Sequence, residues 1–177
     1  MRRLVQLVSL AVFVTTVIFG LSAPVQAQAV LTQDQEQRIV ATCASLKGTL
    51  TQLHASDALL RVNRGQVYES TASKLMERFN ARLSSNQLDG KAMETITAKY
   101  RSELDAFRKD YIAYEQKLSE AMNIDCTTSP IRFANTLEAA RELRNKVHAH
   151  VVELHASIDD YGRALNDFLL NYQRISE

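Results

Sequence analysis

Three sets of residues have side chains and spacings that could do chemistry. His148 and His155 stand seven apart and Asp159 follows four later, which places all three on one face of a helix. Imidazole and carboxylate groups so arranged could hold zinc or copper. The chain's two cysteines, Cys43 and Cys126, could act as thiolates or be joined to each other. Between Ser56 and Gln66, Asp57, Arg61 and Arg64 interrupt an otherwise apolar pattern, and could contact a ligand or partner or pair internally.

What the rest of the sequence lacks limits each set. It has no Gly-rich phosphate loop, nucleophile elbow, Cys-x-x-Cys pair or His-Glu-x-x-His signature. Cys-x-x-Cys-His for covalent haem is missing too. With five glycines in 177 residues, there is little material for the strand–loop–helix turns that most catalytic sites need. The expectation is a protein that is not an enzyme and carries no cofactor. His148 and His155 fall beside the helical seam, where polar residues are ordinary. His54, on a different helix, sits roughly 20 Å from His155 in height. No metal is expected; His148, His155 and Asp159 are the weak candidates. Asp57, Arg61 and Arg64 read as a polar layer whose ion pairs fix helix register, or as an interaction site at a kink.

Long helices must position these groups. Thr32 and Gln35 form a capping-box pattern, with Asp34 and Glu36 in the turn where the helix dipole favours negative charge. Ile39, Cys43, Leu46, Leu50 and Leu53 then follow in a 4-3-4-3 seam. The seam falters between Asp57 and Gly65. It resumes at Val67 or Tyr68 and continues through Ala72, Leu75, Phe79 and Leu83. The spacing predicts one helix over about 33–84, bent if anywhere at Gly65. Ser84 to Gly90 is a turn cluster. A second helix over 90–123 carries Met93, Tyr100, Leu104, Phe107, Tyr111, Tyr114 and Leu118 on one face. Ser129-Pro130 starts a third, over 130–175, whose seam includes Phe133, Val147, Leu154, Tyr161, Phe168 and Tyr172. The expected fold is all-α: a long, coiled-coil-like, up-down-up bundle of three helices in a single domain over 30–177. Cys43 and Cys126 lie about 40 residues either side of Gln87 at the hairpin tip, hence at nearly one level, and a disulfide is expected.

At the N-terminus, Arg2-Arg3, an apolar run from Leu4 to Gly20, Pro24 and Ala27-Gln28-Ala29 follow the order of a signal peptide over 1–29. The protein is therefore expected to be exported, periplasmic or secreted, touching membrane only if that segment stays uncleaved. A formal net charge of +1 with both signs interspersed gives no footprint for nucleic acid.

Two resemblances add to this. The segment His54–Gln66, the Ile124-Asp125-Cys126 stop and the run Ala140–His148 resemble exported helical proteins of unknown function from candidate-phylum bacteria with reduced genomes. That likeness implies an exported helical bundle and no particular activity. Leu31-Thr32-x-x-Gln35 is similar to the Leu-Thr-x-x-Gln motif of the helical periplasmic stress chaperones, which carry it twice where this chain carries it once. The functional expectation is a non-enzymatic envelope or secreted protein that binds another protein, or itself, through helix faces. A holdase-type chaperone and a metal- or ligand-binding bundle are the alternatives.

Overall fold

The computed structural model describes residues 31–176; the leader expected over 1–29 lies outside them. Helix α1 spans Gln33–Ser70, passes through a π-helical turn at Thr71–Met76, and continues as α2, Glu77–Ser85. After the tip come α3, Lys91–Asn123, and α4, Pro130–Ser176. The described residues form an all-α bundle of three long rods running up, down and up.

The ends of the rods follow from local chemistry. Gln35 N–H donates to Thr32 Oγ1 at 3.3 Å and the Gln35 side chain accepts from Thr32 N–H at 2.8 Å, so the Leu-Thr-x-x-Gln segment serves as a capping box. At the tip Gln87 takes the left-handed conformation, φ 58°, letting Leu88 N–H reach the Leu83 carbonyl at 2.9 Å and close the helix end. A Cβ at Gly90 would lie 3.0 Å from Leu83 Cδ1, so any larger residue there requires that side chain to give way by a few tenths of an ångström.

Helices α3 and α4 pack along each other, while the first rod is held at its two ends. Near the tip, Tyr68, Ala72, Met76 and Leu83 bury against Tyr100, Leu104, Leu154 and Tyr161. At the other end Cys43 and Leu50 join Tyr114, Leu118, Phe133 and Ala140. There the Cys43–Cys126 disulfide is formed, Cα to Cα 5.7 Å.

Two details of the first rod differ from the sequence reading. Gly65 lies inside continuous α1; the irregularity comes six residues later, at the π turn. Tyr100 Oη donates to the Tyr68 carbonyl at 3.0 Å, and the Tyr161 hydroxyl lies 2.9 Å from Asn80 Oδ1, its nearer acceptor, and 3.3 Å from the Met76 carbonyl. Thr71 and Ser73 hydroxyls bond back to Val67 and Glu69 carbonyls, which loosens the ordinary ladder. Arg101 clamps the turn from outside, reaching Glu69 at 2.9 Å and Glu77 at 2.6 Å. The wider turn carries an extra residue and so shifts the seam by one. Met76 is 1% exposed, while Leu75, which continues the heptad, is 58% exposed.

Candidate functional site

Between Asp57 and Tyr68, α1 contributes no buried residue. A cleft of about 580 Å³ opens there between the two cores, within the usual size range for small-molecule sites. Its floor is aromatic, Tyr68, Phe107, Tyr111 and Tyr114; Leu60, Val147 and Val151 add aliphatic surface, and Arg61, Arg64, Arg144 and His148 line it.

The polar groups fall into two linked sets. Asp57, 8% exposed, accepts from Tyr114 Oη at 2.7 Å and from Arg144 Nε and Nη2 at 3.0 and 3.3 Å. The Asp57 bond holds the Arg144 guanidinium above its ordinary pKa. Burial, reinforced by the Asp57 carboxylate, pushes the Tyr114 hydroxyl well up, so it stays a donor. In the second set Glu115 accepts from Tyr111 Oη at 2.6 Å and pairs with His54 Nε2 at 2.9 Å. The Arg61 guanidinium lies 4.9 Å from the Tyr111 ring centre, a cation–π contact. Burial, and then the bond to Glu115, raise the Tyr111 pKa.

Of Asp57, Arg61 and Arg64, only Asp57 forms an ion pair among the described residues. Arg61 sits on a ring, and Arg64 lines the cleft without an ionic partner among the described residues. The metal candidates are dispersed. His155 Nε2 bonds the Tyr68 hydroxyl at 3.1 Å, His148 lines the cleft and Asp159 is exposed. Among the described residues no group of three His, Cys, Asp or Glu side chains is placed to hold a metal ion. The sequence reading missed His150, whose two ring nitrogens face Glu103 at 2.9 Å and Asp110 at 3.1 Å. It also gave the tyrosine hydroxyls no role, although tyrosines on a buried seam need partners for their hydroxyls.

The outer face of α1 is a second feature. Ala41, Ala44, Gly48, Gln52, Ala55, Leu59, Val62, Asn63, Gln66 and Val67 recur at helical spacing, and all are exposed. No charge interrupts this stripe between Ala41 and Val67; the exposed Lys74, between the buried Ala72 and Met76, ends it. The charges of α1 after Ala41 turn inward, as Asp57 does, or flank the stripe, as Glu69 does toward Arg101 and Arg108. That inverts the ordinary surface helix, whose polar face looks to water. Leu59 is 64% and Val67 60% exposed. Gly48 has nothing within 4 Å of where a Cβ would be, so packing within the chain does not require this glycine.

Among the described residues no helix is long and apolar enough to cross a membrane. No protein-family model, curated protein or solved structure matches the chain.

Proposed function

We propose that this is a non-enzymatic exported protein that works by protein–protein association, with the outer face of α1 as the contact and a second copy as its partner. The observation that carries the reading is the inverted helix: charges inside or at the flanks, an uncharged stripe outside. That stripe runs from Ala41 to Val67, roughly 40 Å at the usual helical rise. Its lower half is small, with Ala41, Ala44, Gly48 and Ala55, and its upper half is large, with Leu59, Val62 and Val67. A stripe with this polarity complements itself when two copies lie antiparallel. A two-fold axis crossing the helix near residues 57 and 58 brings Val67 of one copy opposite Gly48 of the other.

Such a contact covers about 400 Å² per copy, or about 800 Å² in all, the size of a weak, transient interface. The association is therefore concentration-dependent. The Cys43–Cys126 disulfide fits an oxidising compartment, in keeping with the leader-like N-terminus. Sedimentation equilibrium from low to high micromolar protein tests the reading. A monomer–dimer equilibrium that Leu59→Glu abolishes, with the helical spectrum unchanged, is the expected result. A monomer at every concentration overturns it.

A further inference from the structure

We propose that the mid-bundle cleft is a binding site for an amphipathic organic anion, a single carboxylate head on an apolar acyl body. The case rests on three observations that are independent of the outer face.

The cleft has an excess of positive charge. Arg61, Arg64 and Arg144 line it against one carboxylate, Asp57, and Asp57 is already taken up by Arg144 and Tyr114. Among the described residues Arg64 has no ionic partner, beside Arg61, whose guanidinium rests on a ring rather than on an acid. An arginine facing an aromatic wall is weakly hydrated and presents a planar fork of donors that matches a carboxylate.

The cleft is also apolar where the charge is not. Val147 and Val151 are half-buried there, backed by the almost wholly buried Tyr68 and Phe107 rings, with no ionised group among them. The two cores meet at Val147, and the aliphatic side chains are the part of this wall that water still reaches. A body of hydrocarbon removes that surface from water, and the head stays at the Arg64 side.

Finally, the layer is already ordered without a ligand. Asp57 is fixed by two partners and Glu115 by two more, so these acids are not free to fold into the cleft and neutralise Arg64. A site with its competing carboxylates tied off loses little of its affinity to rearrangement.

Calorimetric titration of the oxidised protein with dodecanoate tests this, beside acetate, dodecanol and dodecyltrimethylammonium. Saturable one-to-one binding of dodecanoate is expected, at least tenfold weaker for dodecanol and undetectable for acetate and the cation. Arg64→Ala, which breaks no hydrogen bond or ion pair among the described residues, should weaken dodecanoate at least tenfold without shifting the thermal midpoint. Val151→Phe, which fills the apolar wall, should weaken dodecanoate and dodecanol alike. Leu59→Glu, on the opposite face of α1, should leave the binding unchanged even as it abolishes self-association. Equal binding of the cationic amphiphile, or full affinity in Arg64→Ala, overturns the proposal, as does the absence of dodecanoate binding.

Discussion

The two ends of the bundle and its middle are built from the same three helices but on opposite terms. At the ends, apolar residues of the first rod meet those of α3 and α4 at every turn, and Leu154, Tyr100 and Met76 are almost wholly removed from water. In the middle the first rod turns Arg61 and Arg64 inward and Leu59 and Val62 outward. The ends account for cohesion. The middle contributes little to stability and exposes what a partner or ligand could use. Where local patterning gives up burial in a chain that otherwise follows it closely, the sequence is serving something other than the fold.

The comparison can be broken most forcefully at the lower end. Replacing both Cys43 and Cys126 by Ser frees an 83-residue loop, a loss on the order of 4 kcal/mol in the chain-entropy model. The expected fall in Tm is roughly 10 °C, with the helical circular-dichroism spectrum kept at room temperature. The same comparison is sharpened by two truncations measured side by side. Leu154→Ala in the tip-end core should cost about 3 kcal/mol through the cavity it leaves. Arg64→Leu in the middle should leave denaturant stability unchanged within about 0.5 kcal/mol. Similar losses for both would erase the distinction between ends and middle.

How far the sequence revealed this division depended on the region. The seams of α3 and α4 were legible because their apolar residues keep helical spacing for many turns and turn toward the core along most of that length, although Tyr172 near the end of α4 is 51% exposed. The disulfide was legible because helix rise converts residue counts into heights. The π turn was not. Leu75 and Met76 fit the helical pattern equally well up to that point, and the choice is made by Tyr100 and Tyr161 hydroxyls arriving from other helices. In the candidate site, Asp57, Arg61 and Arg64 stood out as breaks in the seam. Composition could not tell an arginine that meets a carboxylate from one that meets the Tyr111 ring.

A smaller effect is expected within the polar layer. Asp57→Asn keeps an acceptor for Tyr114 but removes the charge that Arg144 meets. Arg144 is half exposed, so the loss should be about 1 kcal/mol by chemical denaturation.

Smallest is the pH dependence contributed by His150. Burial alone would lower its pKa, but the bonds to Glu103 and Asp110 outweigh it and the net shift is upward. Its stabilisation is thus complete below the unfolded value of about 6.5 and is lost as pH rises through the folded one. His150→Gln should flatten the fall in Tm across that interval, and an unchanged slope would remove His150 as its source.

The central claim is that two copies meet antiparallel along the uncharged outer face of α1. Single-cysteine reporters on that face test it directly, in protein that keeps its native disulfide. Gly48→Cys and Val67→Cys variants, mixed at high micromolar concentration and oxidised gently, should crosslink to each other faster than either does to itself. Preferential formation of the Gly48→Cys and Val67→Cys homodimers, or no crosslinked dimer beyond random collision, would contradict the account.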